Sequence, residues 1–183
     1  MKIQIIVGSV REGRVAIKVA DWLYQQIQDS ANNPTGQLEA EIVDLKQWQL
    51  PFFAGAHPPA SGIYDQPKQQ QWAEKIATAD AFIMVTPEYN HGYSPALKNA
   101  IDYLYAEWQS KPVAFVSYGG SNGSRSIDQL KQVCTFIGML DSQAVIEIRD
   151  IGQRAKAEQF EGNEFDLKVL KSVLSKLKKY AKT

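Results

Sequence analysis

Apolar residues are distributed along the chain in two rhythms. Residues 3–7, 81–85, 112–117 and 144–148 form short, nearly unbroken apolar runs, which mark strands buried on both faces. Residues 40–45 are more mixed, as in a strand nearer an edge. Between these runs the apolar positions recur every three or four residues. Ala16, Val19, Ala20, Leu23 and Ile27 share one helical face, while Lys18, Asp21, Gln25 and Gln28 fall elsewhere. The same spacing predicts helices over 69–78 with Trp72, Ile76 and Ala79 inward, over 95–107 with Leu97, Ala100, Ile101 and Leu104, and over 124–138 with Ile127, Leu130, Val133, Cys134 and Ile137. Phe165, Leu167, Leu170, Val173, Leu174 and Leu177 predict a last helix.

Five strands alternating with five helices predict a parallel sheet, because parallel neighbours need crossover connections and these are overwhelmingly right-handed. The expected architecture is α/β, a three-layer sandwich with a five-stranded parallel sheet of order 2-1-3-4-5 and helices on both faces. In that order strands 1, 3 and 4 are neighbours. Their carboxyl ends carry three unusual loops, at 8–14, 86–94 and 118–124, so these loops are expected to converge where open α/β sheets bind ligands. The segment 32–36, Asn-Asn-Pro-Thr-Gly, is a dense breaker, and residues 46–67 mix Trp48, Leu50, Phe52 and Phe53 with six prolines and glycines. Pro51, Gly55, Pro58, Pro59, Gly62 and Pro67 are those six breakers, and a long, partly packed loop is expected there, its aromatics either facing a partner or substrate or capping the core.

Composition narrows the function. A chain of 183 residues with 44% hydrophobic content suits one domain over residues 1–183. Twenty basic residues balance twenty acidic ones, and a pI near 6.7 gives no field that would attract nucleic acid. The lysines at 168, 171, 176, 178, 179 and 182 are expected to form a solvated helix face. The lone Cys134 fits a reducing compartment, with cytoplasm as the default. The apolar run at the start is too short for a signal peptide, and no stretch is long enough for a membrane span.

The first loop, Gly8-Ser9-Val10-Arg11-Glu12-Gly13-Arg14, lacks the Gly-Lys-Ser/Thr ending of a P-loop and the three-glycine dinucleotide spacing. It still supplies what a phosphate monoester requires. Ser9 offers a hydroxyl, Arg11 and Arg14 offer guanidinium groups, and each contact to a helix amino terminus contributes roughly 0.3–1 kcal/mol. Ser94 and Ser117 are conceivable nucleophiles beside His91, but no acid is placed to orient that histidine and no Gly-x-Ser-x-Gly elbow is present. His57, His91 and Glu88 lack metal-ligand spacing, so no metal is expected. What the second and third loops offer is main chain, a flat aromatic in Tyr89 or Tyr118, and glycines at 119, 120 and 123. A flat heteroaromatic with a phosphate tail suits both ends.

Three motifs in order, Gly8-Ser9-x-Arg11, Pro87-Glu88-Tyr89-Asn90 with Pro95-x-Leu97-Lys98-Asn99-Ala100-Ile101-Asp102, and Ser117-x-Gly119-Gly120, make the chain resemble the NAD(P)H-dependent FMN reductases. This flavodoxin-like group includes bacterial quinone, azo-dye and chromate reductases. The resemblance covers essentially the whole chain apart from 46–67. It implies that Ser9, Arg11 and the turn through Arg14, Val15 and Ala16 hold the FMN phosphate. It further implies that Pro87, Glu88, Tyr89 and Asn90, with Ser117, Tyr118, Gly119 and Gly120, bracket the isoalloxazine, largely through backbone. Many relatives carry serine where this chain has Arg14.

The implied activity is ping-pong reduction of quinones or related acceptors, including free flavin, azo dyes and chromate, with NADPH or NADH as reductant. The cofactor carries the chemistry, no side chain is needed as acid or base, and Glu88 is expected to be structural. Two rivals are an FMN-binding electron carrier without nicotinamide turnover, and a dinucleotide-binding dehydrogenase reading a ribose through Asp44, for which the first loop lacks the glycines. Family members are commonly homodimers or homotetramers. Tyr93, Tyr103, Trp108 and the aromatics near Trp48 are interface or core candidates, and Arg125 either pairs across subunits or is an exposed helix-start arginine.

Overall fold

The computed structural model describes residues 1–155 and 158–181, so Lys182 lies outside the described residues. Five strands, β1 (Lys2–Val7), β2 (Glu39–Asp44), β3 (Ala81–Pro87), β4 (Pro112–Tyr118) and β5 (Leu140–Ile148), form one sheet of order β2-β1-β3-β4-β5. Every pairing is parallel. The connecting helices are α1 (Ala16–Gln28), α2 (Leu45–Trp48), α3 (Pro67–Ala77), α4 (Pro95–Asp102), α5 (Ser124–Phe136), α6 (Ile151–Arg154) and α7 (Glu164–Tyr180).

Alternation along the strands divides the core into two layers. Ile3, Ile5, Val7, Ile83, Val85, Ala114 and Val116 face α1 and α7, whereas Ile6, Phe82, Met84, Val113 and Phe115 face α3, α4 and α5. Both layers are sealed, which is why β3 and β4 are buried at every position. Each such side chain removed from water contributes about 1.5–3 kcal/mol. The edge position expected for the second strand is observed, because β2 pairs with β1 alone.

Three differences from the sequence reading go beyond a shift of one or two residues at an element's end. Helix α4 stops at Asp102 rather than continuing to 107, and the cause is remote in sequence. The indole N–H groups of Trp72 and Trp108 donate to the carbonyls of Ala100 (2.9 Å) and Ile101 (3.1 Å). Those carbonyls are the acceptors a further turn would use, and the Tyr105 N–H donates instead to the Tyr64 hydroxyl at 3.3 Å. A short 3-10 turn, Ala106–Trp108, follows. Strand β5 begins four residues before the apolar run, with the Ser142 hydroxyl donating to the Val113 carbonyl at 2.7 Å.

The third difference is the 46–67 segment, which is more ordered than a loop. Asp44 caps α2 by accepting from the Lys46 N–H at 3.0 Å, and Pro59–Ser61 form a 3-10 turn. Asn99 accepts from the Phe53 N–H (2.9 Å) and donates to the Pro51 carbonyl (2.8 Å), which also receives the Tyr103 hydroxyl at 2.8 Å. Trp48 meets Trp72 edge-on at 4.8 Å between ring centroids, and Phe53 meets Tyr103 at 5.3 Å. Trp48 and Phe53 pack inward, which meets the capping role, while Phe52 is 85% exposed.

Tyr103 and Trp108 are wholly buried, which removes them as interface candidates. Replacing Trp108 by alanine would delete a buried ring and remove the indole donor from the Ile101 carbonyl, which keeps the Leu104 N–H at 3.2 Å. We expect Trp108→Ala to lower unfolding free energy by about 3–5 kcal/mol, read as a drop in the urea midpoint.

Candidate active site

The carboxyl ends of β1, β3 and β4 bring the three loops together, as the strand order requires. Gly8 ends β1 and donates its N–H to the Val85 carbonyl at 2.8 Å. A Cβ there would stand 3.0 Å from that carbonyl oxygen and 3.2 Å from the Leu97 Cβ, so the first loop leaves the sheet directly beneath the second. Ser94 fastens the two, its hydroxyl donating to the Gly8 carbonyl at 2.6 Å while its N–H donates to the Thr86 hydroxyl at 3.1 Å.

In the first loop the side chains divide into those that build it and those that face outward. Arg14 makes a two-pronged ion pair with Asp44 and also donates to the Ser9 carbonyl at 2.8 Å. Its side chain is 11% exposed and that of Asp44 4%. The register explains the meeting, since Val7 and Asp44 are directly paired at the carboxyl ends of β1 and β2. The hydrogen bond to Asp44 raises the Arg14 pKa against the opposing effect of burial. Arg14 is thus committed to shaping the loop. Arg11, in contrast, is exposed, with its guanidinium 5.7 Å from the centre of the Tyr89 ring.

Helix α1 begins behind this loop without a side-chain cap at Val15 and without an acidic residue in its first turn. Val15 is half-buried and Ala16 buried, so their contribution to a ligand is main chain. The Ser9 hydroxyl lies 2.8 Å from the Tyr89 hydroxyl, linking the first loop to the second.

The second loop reverses through a two-residue hairpin. Tyr89 and Gly92 exchange N–H to carbonyl bonds at 2.8 and 3.0 Å, with Asn90 at φ 46° and His91 at φ 76°. Two consecutive left-handed residues make this a rigid corner, held below by Pro87 in the sheet and by Pro95 at the first position of α4. Glu88 turns inward. Its carboxylate accepts from the Ser121 hydroxyl (2.6 Å) and from Arg125 (3.3 Å), and its N–H donates to the Tyr118 carbonyl (2.9 Å). The Ser121 bond, aided by Arg125, lowers the Glu88 pKa although burial opposes it. Arg125 therefore pairs within its own chain.

The third loop corrects one reading. Ser117 and Tyr118 are adjacent in β4 and point to opposite faces. The Tyr118 ring is 8% exposed and packs in the α1/α7 layer, where burial raises its pKa, so it is no platform for a flat ligand. Ser117 is buried and donates to the Asn122 carbonyl at 3.1 Å. Gly119 passes close to Glu88, where a Cβ would stand 2.9 Å from the Glu88 Cβ, whereas a Cβ on Gly120 would meet nothing within 4 Å.

This geometry fits FMN. The first loop offers Arg11 and the helix amides outward, and from within it the Ser9 hydroxyl, buried and paired with Tyr89, with the nearby carboxylate of Asp44 already neutralised by Arg14. The second and third loops present rigid main chain and, at Gly120, open space for a ring to approach. Ser94 and Ser117 are both buried and committed to main-chain carbonyls, so neither is partnered with His91. Among the described residues no group of three His, Cys, Asp or Glu side chains could hold a metal ion, and no helix is long and apolar enough to cross a membrane.

A family profile described as NADPH-dependent FMN reductase matches residues 1–150. The chain belongs to this family. It is similar to the NAD(P)H-dependent FMN reductase of Schizosaccharomyces pombe, 42% identical over 140 residues covering 75% of this chain and 68% of that one. It is also similar to the NAD(P)H-dependent FMN reductase of Saccharomyces cerevisiae, 40% identical over 139 residues covering 73% of each. Among solved structures, a flavoenzyme NAD(P)H:(acceptor) oxidoreductase from Paracoccus denitrificans superposes with a TM-score of 0.76 over 99% of this chain and 97% of that one, at 21% identity. The flavodoxin-like fold of this FMN reductase is thereby shared at low sequence identity.

Sequence reasoning considered Asp44 and Ser94 in other roles, as a ribose reader and a nucleophile, and assigned no role to the side chains of Asn99 and Ser121. What these four do depends on partners far along the chain or across the loops.

Arg14 and Asp44 form a pair whose loss strands a buried charge. We expect Arg14→Ala and Asp44→Ala each to cost about 3 kcal/mol in urea unfolding, Asp44→Ala somewhat more because it also removes the α2 cap. The double variant should fall short of their sum by at least about 1 kcal/mol; strict additivity would mean the pair contributes nothing.

Proposed function

We propose that this FMN reductase family member holds FMN across the three loops and uses NADPH or NADH to reduce quinones or related small acceptors. The observation that carries the reading is the convergence at one sheet edge of an anion-directed loop and two rigid main-chain brackets. Ser9, Arg11 and the amides opening α1 bind the phosphate. The main chain of 87–90 and 117–120 flanks the ring; with the Glu88 and Tyr89 N–H groups already bonded to Tyr118 and Gly92, the N–H groups of Asn90, Gly119 and Gly120 are the ones left to stabilise negative charge gathering on it. FMN, when bound, supplies the hydride and electron transfer. The reading asks for no side chain as general acid or base, and Glu88 is engaged by Ser121 and Arg125. Balanced charge speaks against a dedicated electron carrier, which would surround its flavin with acidic residues. The buried, solitary Cys134 suits a reducing cytoplasm.

A second copy of the chain is the partner we propose, docking on the face of α4. Phe52 projects there beside an apolar cavity of about 430 Å³ lined by Val10, Leu50, Pro51, Pro95 and Ala96. Lys98 and Asp102, one turn apart and half exposed, pair with each other within α4 and form a patch of both signs that a two-fold axis crossing the helix would set against itself.

Protein mixed with FMN should become yellow and bleach anaerobically with NADPH or NADH, then recolour on addition of a quinone. Absence of a bound flavin band would defeat the reading, and a bound flavin without nicotinamide turnover would favour the carrier. In light scattering we expect a dimer or tetramer for the natural chain and a shift to lower mass for Phe52→Asp. An unchanged mass would place the interface elsewhere.

A further inference from the structure

The carboxylate of Glu88 sits between the two loops proposed to flank the flavin ring, with its side chain 7% exposed. Each of its oxygens is engaged by a different side chain from beyond β4, Oε2 by the Ser121 hydroxyl at 2.6 Å and Oε1 by the Arg125 guanidinium at 3.3 Å. Its N–H reaches the Tyr118 carbonyl, and Gly119 passes against its Cβ. Second and third loops are thus joined by one residue through main chain, side chain and van der Waals contact.

A neutral glutamine would join the loops equally well in shape. A carboxylate at this place is instead a full negative charge beside a ring that becomes more negative on reduction, and such a charge works against the chemistry unless it is neutralised. Arg125 supplies the opposite charge from the first turn of α5, and its side chain remains 53% exposed. Its outer side is therefore free of a packing role.

We propose that Glu88, Ser121 and Arg125 form a charge-compensated clasp, in which Ser121 fixes the spacing of the two ring loops and Arg125 cancels the Glu88 charge so that reduced flavin is not disfavoured. Ser121 and Arg125 are positioning residues, acting through Glu88. The inference rests on the reading that these loops receive FMN.

The test measures the midpoint potential of bound flavin against a reference dye, and the dissociation constants of oxidised FMN and riboflavin by fluorescence quenching. Arg125→Ala leaves the Glu88 charge uncancelled and should weaken binding of reduced relative to oxidised flavin about tenfold, a shift of about 30 mV to more negative potential for a two-electron couple. Arg125→Lys should restore most of it. Glu88→Gln leaves Arg125 uncancelled and should shift the potential in the positive direction, and the double variant Glu88→Gln/Arg125→Ala should return close to the natural value. Ser121→Ala should weaken FMN and riboflavin by the same factor, about fivefold, because the phosphate end is untouched. A purely structural role would move both single variants the same way. Shifts of one sign, or no shift, in protein that binds FMN overturn the clasp alone. Failure of the natural chain to bind FMN overturns the clasp together with the proposed function. If Glu88→Gln does not fold, the contrast between Arg125→Ala and Arg125→Lys decides: a negative shift restored by lysine supports the clasp, and equal potentials refute it.

Discussion

The structure depends on the close approach of β1 and β3 at their carboxyl ends, where the Gly8 N–H meets the Val85 carbonyl with no room for a side chain between the first loop and Leu97. Parallel pairing delivers every strand to the same edge, but only this contact draws the first loop close enough for Ser94 to bond its main chain and for Tyr89 to reach the Ser9 hydroxyl. The sheet supplies the common direction. The missing side chain at Gly8 supplies the proximity.

From that junction the side chains that look most reactive are used for construction. Arg14 is turned to Asp44, Glu88 to Ser121 and Arg125, Ser94 and Ser117 to carbonyls, and Tyr118 into the core. Outward there remain Arg11, the helix amides and the backbone of two corners. Such a division suits a protein whose bound cofactor carries the reactivity, because the scaffold must be stiff and need not titrate.

Much of this was legible in the chain. Apolar runs and helical spacing give the alternation of strands and helices, since buried parallel strands and amphipathic helices have distinct periods, and the flavodoxin order expected for that alternation predicts which three loops meet. What stayed hidden depends on partners distant in sequence. Arg14 reads as a phosphate ligand until the Val7 and Asp44 register places a carboxylate beside it. Helical spacing continues through Leu104, and only the folded positions of Trp72 and Trp108 reveal why α4 ends two residues earlier. Phe52 and Phe53 are adjacent aromatics with opposite fates, decided by the hydrogen bond that Asn99 takes from Phe53.

The two indoles that end α4 have a wider meaning. They belong to the interior of one layer, yet they determine where the chain leaves the helix that carries Lys98, Asn99 and Asp102 to the surface. Interior and rim are one mechanical unit along this helix. A change of volume deep in that layer would be transmitted as a change in helix length, reaching both the tether of Phe53 and the charged face without altering a single exposed residue.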